Sequence, residues 1–93
     1  MTVLPASVSP GPRITLFGAE WCGDCRRSKK VLDGLELDYD YVDLEAVADG
    51  ADRAHAISGR TRIPVIVFPD ESHLVEPSDS DLRTKLAQFS LEA

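Results

Sequence analysis

Cysteine, long apolar runs and excess positive charge are all scarce in this 93-residue sequence. It has two cysteines, whereas a small secreted protein built on disulfide bonds usually has several pairs. No apolar run approaches the roughly 18 residues that a membrane-spanning helix needs, so we expect no membrane association. The formal net charge is −6, and a surface of that sign repels nucleic-acid phosphates, so we expect no nucleic-acid binding.

Length and composition indicate one small globular domain. Hydrophobic residues make up 43% and charged residues 28% of the chain, an ordinary globular balance. Residues 1–12 contain three prolines and no early Lys or Arg before an apolar stretch, a pattern unlike a signal peptide. We therefore expect a flexible N-terminal tail over residues 1–12, a domain over residues 13–93, and a monomeric, cytoplasmic protein.

Hydrophobic patterning predicts the element order β-α-β-α-β-β-α. Strands are predicted over residues 14–17, 39–44, 64–68 and 73–76, and helices over residues 24–35, 46–58 and onward from 79. The initial strand, helix and strand imply a parallel pair joined by a right-handed crossover, and the late hairpin adds an antiparallel edge. The predicted class is α/β, with a four-stranded mixed sheet flanked by helices.

Each predicted helix presents an apolar face. The residues expected to face inward are Cys25, Ser28, Leu32 and Leu35 on the first helix, Val47, Ala51, Ala54 and Ile57 on the second, and Leu82, Leu86 and Phe89 on the third. Gly50 weakens the second helix by about 1 kcal/mol relative to Ala, and Gly59 ends it. Ser78 caps the third helix, with Asp81 three residues later.

The two cysteines stand three positions apart at the start of the first predicted helix. Across one helical turn their Cα atoms fall within the roughly 4.4–6.8 Å that a disulfide tolerates. Cys22 lies at the helix N-terminus, where unpaired N–H groups and the positive end of the dipole stabilise a thiolate. Cys22 is therefore the predicted nucleophile, and Cys25, one turn inside on the apolar face, is the predicted resolving thiol.

Two other interpretations of the cysteine pair are weaker. Cys-x-x-Cys is also half of a zinc site, but zinc normally takes four ligands, and neither His55 nor His73 stands at ligand spacing, so no metal site is predicted. Both cysteines could be ordinary core residues, because free cysteine is often buried. The preceding strand and the following helix instead favour redox chemistry.

Four of the ten Lys and Arg residues lie on the first predicted helix, at positions 26, 27, 29 and 30. They could form a basic patch beside the thiol for an anionic partner. They could also be a solvated helix face whose later lysines complement the C-terminal end of the helix dipole. The second interpretation is favoured from the sequence.

The segment Trp21-Cys22-Gly23-Asp24-Cys25 after a short strand resembles the active site of thioredoxins and glutaredoxins. Ile63-Pro64 before an apolar strand is similar to the Thr-Val-Pro signature of glutaredoxins, where the proline is cis and faces the redox pair. The chain is too short for a thioredoxin, and residues 13–90 fit the glutaredoxin core. Glu76-Pro77-Ser78 is similar to the Asn-Pro-Ser that precedes the last helix of actinobacterial mycoredoxins.

The resemblance implies a thioredoxin fold and thiol–disulfide oxidoreductase activity. Cys22 matches the family nucleophile and Cys25 the resolving cysteine. Ser80 and Asp81 stand where glutaredoxins hold the free amine end of glutathione. The residues implied in binding a small thiol or a peptide are Trp21, Ile63, Pro64, Ser80 and Asp81.

Departures from the glutaredoxin pattern bear on the co-substrate. Asp24 stands where glutaredoxins have an aromatic residue, Arg62 where threonine is usual, and Pro77-Ser78 where two glycines precede the last helix. Each changes the groove for the small thiol, so mycothiol is favoured over glutathione. No tightly bound cofactor is implied, and the expected partners are the small thiol and disulfide-containing or S-thiolated proteins.

Two alternative functions stay open. Trp-Cys-Gly-x-Cys also suits a thioredoxin-like protein-disulfide reductant that is fed directly by a flavin disulfide reductase. Some glutaredoxin relatives hold a [2Fe–2S] cluster between two subunits through the first cysteine and a small thiol. Those relatives usually lack the second cysteine, so Cys25 argues against a cluster.

Overall fold

The computed structural model of the chain describes residues 14–88, which form four strands and three helices. In chain order the elements are β1 (Ile14–Gly18), α1 (Gly23–Gly34), β2 (Tyr39–Asp43), α2 (Gly50–Ser58), β3 (Val65–Val67), β4 (His73–Val75) and α3 (Asp79–Ala87). This order is the predicted one. The tail expected over residues 1–12 and the core position expected at Phe89 lie outside the described residues.

The four strands form one mixed sheet in the order β2-β1-β3-β4. β1 and β2 are parallel, with Ile14 opposite Tyr39, and α1 forms the crossover between them. β3 runs antiparallel to β1, with Leu16 opposite Ile66, and β4 runs antiparallel to β3. The predicted four-stranded mixed sheet is confirmed, and the architecture is the thioredoxin fold.

Apolar side chains from both faces of the sheet form two clusters. One face packs against α1 and α3 through the buried residues Ile14, Leu16, Val31, Leu32, Ile66, Phe68, Leu82 and Leu86. The other packs against α2 through Phe17, Val42, Ala54 and Val65. Successive strand residues point to opposite faces, and the central strands β1 and β3 are apolar because both of their faces are covered.

The first and third helices follow the predicted pattern. On α1 the buried residues include Cys25, Ser28 and Leu32. Leu35 directly follows the helix and packs against the cluster. On α3 the Asp81 N–H donates to Ser78 Oγ at 3.0 Å, so Ser78 is the predicted cap. No helix within residues 14–88 is long and apolar enough to cross a membrane.

The second helix is shorter than predicted, because it begins at Gly50 rather than at residue 46. Residues 44–49 form turns instead. Gly50 is buried, and a Cβ there would lie 3.0 Å from the Leu44 side chain. The glycine therefore allows close packing at the helix start, whereas the sequence suggested a weak point in the interior.

The inward face predicted for the second helix is wrong at two positions. Gly50 and Ala54, one turn apart, are the buried residues of α2, and they set which side of the helix faces the sheet. Ala51 is consequently exposed, and Ile57 is 39% exposed. Gly59 ends the helix in the left-handed conformation, as expected, with φ of 73°.

Candidate active site

Cys22 is the N-cap residue of α1 and lies where the loop after β1 enters the helix. Its backbone is extended, and the Cys25 N–H donates to Cys22 Sγ at 3.3 Å. The Cys22 N–H in turn donates to the Ala19 carbonyl at 3.1 Å, which fixes the entering loop. A hydrogen-bond donor of the first helical turn is thus already directed at the sulfur, and such a bond strengthens when the sulfur carries negative charge.

The two thiols differ in their access to solvent. Both are free, but Cys22 is only partly buried whereas Cys25 has no exposed surface. Burial and the hydrogen bond to Cys22 raise the pKa of the Cys25 thiol to about 12. At neutral pH Cys25 therefore keeps its proton, and Cys22 is the sulfur that a substrate in solution can reach.

Gly18, the last residue of β1, makes room for Cys25. A Cβ at position 18 would lie 2.8 Å from Cys25 Sγ and 3.0 Å from Cys25 Cβ, and a side chain there would have to displace the buried thiol. No motif in the sequence assigns Gly18 a role. A glycine just after an apolar strand is a signal for close approach of another segment, but it does not identify the partner.

The loop before β3 contacts Cys22. The Ile63–Pro64 peptide bond is cis, as the resemblance implies, and the Cys22 thiol donates to the Ile63 carbonyl at a sulfur–oxygen distance of 3.9 Å. The Pro64 carbonyl accepts the Glu76 N–H at 2.9 Å. Ile63, Pro64 and Cys22 are therefore neighbours although about forty positions separate them.

Trp21 supplies an exposed aromatic surface next to Cys22. Its side chain is 66% exposed, and the indole N–H donates to Glu45 Oε2 at 2.5 Å. The Glu45 N–H donates to Asp43 Oδ1 at 2.9 Å, and Asp43 is the last residue of β2. Sequence reasoning missed Glu45, because nothing in the local pattern relates it to a residue 24 positions away.

Ser80 and Asp81 lie in the first turn of α3, and both are exposed. Glu76, two residues before the Ser78 cap, is bonded to Pro64, so the start of α3 follows directly from a loop attached to the cis-proline segment. Among residues 14–88, neither Ser80 nor Asp81 forms a side-chain hydrogen bond to the cysteines. The structure places them in the first turn of α3, which follows the loop that is hydrogen-bonded to Pro64.

Charged side chains connect the cysteine segment to α3. Arg27 Nη2 lies 2.7 Å from the carboxylate of Asp24, the residue just before Cys25, and Arg27 Nε lies 3.4 Å from Asp79 in the first turn of α3. Asp24 also contributes to the raised pKa of Cys25, since a nearby negative charge disfavours a second one. Asp24, which departs from the family pattern, is thus linked through Arg27 to the first turn of α3.

The two histidines take no part in a metal site within residues 14–88. His55 lies on the exposed side of α2, and His73 is exposed at the start of β4. In the same part of the chain, no group of three or more His, Cys, Asp or Glu side chains is arranged to hold a metal ion. The arrangement at Cys22 and Cys25 is instead one in which two thiols can exchange with a disulfide.

Comparison with known proteins identifies the same family from sequence and from structure. The glutaredoxin family model matches residues 14–74. A Mycobacterium tuberculosis protein provisionally named a glutaredoxin is 32% identical over 78 residues, covering 83% of this chain and 93% of that protein. Mycoredoxin 1 of Corynebacterium glutamicum is 27% identical over 74 residues, covering 78% of this chain and 91% of its own.

A solved structure shows the same fold. The crystal structure of a glutaredoxin from Archaeoglobus fulgidus superposes with a TM-score of 0.72 at 20% identity, covering 80% of this chain and 85% of that one.

Proposed function

Because the chain belongs to the glutaredoxin family of thiol–disulfide oxidoreductases, we propose that it reduces mixed disulfides between proteins and a low-molecular-weight thiol, with mycothiol favoured over glutathione. The observation that carries this proposal is the asymmetry of the two sulfurs. Cys22 is accessible and accepts a helix N-terminal N–H, whereas Cys25 is buried one turn away.

The proposed reaction is two successive exchanges. The Cys22 thiolate attacks the sulfur of the small thiol in the mixed disulfide, the old S–S bond breaks, and the protein leaves as a thiolate that takes up a proton. A second molecule of the small thiol, as thiolate, then attacks the adduct on Cys22. This attack releases the enzyme thiol and the oxidised disulfide of the small thiol.

A second route through Cys25 is open for protein disulfides. Here Cys22 forms a mixed disulfide with the substrate protein, and Cys25, after losing its proton, attacks Cys22 Sγ. The substrate leaves as a dithiol and the enzyme keeps the Cys22–Cys25 disulfide. Two molecules of the small thiol then supply the two electrons that restore both cysteines.

We assign binding of the small thiol or peptide to the surfaces around Cys22. The cis-proline segment with Ile63 and Pro64 borders the nucleophile, and the exposed Trp21 indole borders it within the α1 loop. Ser80 and Asp81 are proposed to meet the amine-bearing or polar end of the thiol. Support for mycothiol comes from the relationship to mycoredoxin 1 and from Asp24, a departure at a position beside the cysteines.

We further propose that the protein works in the cytoplasm, as one domain over residues 13–93 preceded by a flexible tail. A pair of free thiols that must be reduced at the start of each cycle needs a reducing compartment. The net charge of −6 supports the absence of a nucleic-acid partner.

The proposal is tested by turnover of a mycothiol–protein mixed disulfide with three electron donors: mycothiol, glutathione, and a flavin-containing thioredoxin reductase with NADPH. We expect turnover with mycothiol that survives Cys25→Ser and is abolished by Cys22→Ser. Cys25→Ser is the matched control, because it replaces the same atom at the other cysteine.

Other results would redirect the assignment. Faster turnover with glutathione would retain the reaction and change the co-substrate. Turnover only with the flavin reductase, and only with both cysteines present, would make the protein a thioredoxin-like reductant and contradict the proposed co-substrate.

A further inference from the structure

The four cations of α1 stand where the helix dipole does not favour them. The last turn of α1 contains no basic residue, so these side chains do not complement the C-terminal end of the dipole. Arg26 and Arg27 instead lie close to the N-terminus, where the dipole disfavours positive charge. The solvated face predicted from the sequence is confirmed by the exposure of Arg26, Arg27 and Lys30, but the predicted complement to the C-terminal dipole is wrong, because the last turn holds no basic residue.

Neighbouring carboxylates neutralise two of the four cationic side chains of α1. Arg27 pairs with Asp24 and Asp79. Lys29 Nζ lies 3.1 Å from Glu20 Oε2 and 4.1 Å from the centroid of the Tyr41 ring. These partners hold both side chains against the helix and reduce the charge that they offer to an approaching molecule.

The other two keep their positive charge. Arg26 donates through Nη1 to the Glu20 backbone carbonyl at 2.7 Å. Its charge helps to lower the pKa of the Glu20 carboxyl group, but Arg26 forms no ion pair with a carboxylate of residues 14–88. Lys30 is exposed and forms no ion pair with a carboxylate of residues 14–88. Two cationic groups are therefore available on the α1 surface of a chain whose net charge is −6.

Arg26 and Lys30 belong to one open groove that begins beside the nucleophile. The groove encloses about 560 Å³ and is lined by Glu20, Gly23, Arg26, Arg27, Lys29, Lys30 and Asp33. Gly23 directly follows Cys22, and a Cβ on Gly23 would lie 3.9 Å from Arg26 Nη2. The positive charge of Arg26 is thus within a few ångströms of the cysteine motif.

The length of the groove indicates the kind of molecule that fits it. From Gly23 to Asp33 the helix rises roughly 15 Å at about 1.5 Å per residue. An extended peptide covers that length with four or five residues, at about 3.3 Å each. A single small carboxylate would contact only a fraction of this surface, whereas a short acidic stretch would meet both Arg26 and Lys30.

We propose that the α1 groove is a docking surface for an acidic segment of the protein substrate. This segment lies next to the substrate cysteine whose disulfide is reduced. The inference rests on the proposed function and adds to it the charge of the preferred substrate. Complementary charge raises the rate of productive encounter more than it raises final affinity. The acidic segment lies along α1 while its disulfide meets Cys22 at the N-terminal end of the groove.

The experiment compares three synthetic disulfide peptides that differ only in flanking residues: acidic, neutral and basic. Single-turnover attack by Cys22 is followed for wild type, for Lys30→Glu, and for Arg83→Glu. Arg83→Glu is the matched control, because Arg83 is exposed on α3, undergoes the same change of charge and does not line the groove. The rate for each pair of protein and peptide is measured at low and at high ionic strength.

We expect wild type to react with the acidic peptide about tenfold faster than with the basic one at low ionic strength, and the difference to shrink with added salt. Lys30→Glu removes most of this preference and leaves the neutral peptide unaffected, whereas Arg83→Glu retains it. Circular dichroism of both variants checks that they are folded.

Several outcomes would overturn the docking surface. Equal rates for acidic and basic peptides, with the neutral peptide still reduced, would contradict the docking surface and leave the proposed function intact. An equal loss of preference in Arg83→Glu would show an effect of net charge alone. Failure to reduce any peptide would contradict the proposed function and the docking surface with it.

Discussion

Cys22 and Cys25 are the same chemical group in different surroundings, and the roles proposed for them depend on that difference. Cys22 combines partial exposure with an N–H directed at its sulfur. Cys25 lies under the helix against Gly18, and a buried thiol resists ionisation because the thiolate loses its hydration. We therefore expect the accessible sulfur to attack first, and the buried one to act only after an adduct has formed.

The raised pKa of Cys25 predicts a pH-dependent second step. Its value of about 12 lies above the ordinary thiol value, so the thiolate fraction is small at neutral pH. As long as the pH stays below the pKa, each rise of one pH unit increases that fraction about tenfold. Because the thiolate is the attacking species, resolution of a preformed adduct on Cys22 should accelerate steeply from pH 7 to pH 9. Rapid mixing with detection of the released thiol measures this rate, and a flat profile would contradict the assignment.

Substitution of Gly18 tests the packing under Cys25. Gly18→Ala should lower the free energy of unfolding by about 1–3 kcal/mol, since the added methyl group overpacks a filled site and would lie 2.8 Å from Cys25 Sγ. Urea unfolding of the reduced protein gives the value. Gly34→Ala is the control, because a Cβ there meets no atom within 4 Å. Equal stability changes for the two variants would refute the packing account.

At the scale of single residues, the sequence predicted what depends on neighbours in the chain. The roles of Cys22 and Cys25 follow from three-residue spacing at a helix start, and the Ser78 cap follows from a local pattern. The contacts of Gly18 and Glu45 depend on segments that are brought together only by the folded chain. No periodicity or motif in the sequence specifies them.

Among the elements, α3 combines an N-terminal cap with two buried leucines. Ser78 Oγ accepts the Asp81 N–H at 3.0 Å, and only Leu82 and Leu86 are buried along the helix. Loss of the cap leaves an N–H of the first turn without its protein acceptor. The start of α3 also adjoins the loop that is bonded to Pro64, so fraying would reach the active-site side of the fold.

Ser78→Ala should lower the free energy of unfolding by about 1 kcal/mol. Thr84→Ala on the exposed side of the same helix should stay within about 0.5 kcal/mol of wild type. Chemical denaturation of the three proteins measures both changes, provided that the free energy of unfolding depends on denaturant concentration with the same slope in each. A destabilisation as large for Thr84→Ala as for Ser78→Ala would contradict a specific stabilising role for the Ser78 cap.

The start of α2 is a boundary that the sequence did not predict correctly. An apolar period continues back to Val47, so the pattern predicts a helix from residue 46. The folded chain instead uses residues 44–49 for turns, and Gly50 packs so closely that a Cβ there would lie 3.0 Å from the Leu44 side chain. Strand and helix order could be predicted from periodicity, whereas this start depends on a tertiary contact.

Across the whole molecule, the distribution of apolar surface predicts a monomer. The large hydrophobic side chains exposed within residues 14–88 are Trp21 and Ile57, and isolated exposed side chains do not make an interface. Analytical ultracentrifugation of the reduced, purified protein should give the mass of one 10.2 kDa chain and a colourless sample. A coloured dimer containing iron would support the cluster-binding alternative and contradict this prediction.

The most direct test of the account is to trap the intermediate on one cysteine. Mass spectrometry follows Cys25→Ser and Cys22→Ser after each is mixed at neutral pH with a protein carrying a mixed disulfide. We predict that Cys25→Ser accumulates a stable adduct of the small thiol on Cys22 while Cys22→Ser stays unmodified on the same timescale. An adduct on Cys25 of the Cys22→Ser variant, formed at a comparable rate, would contradict the division of roles between the exposed and the buried sulfur.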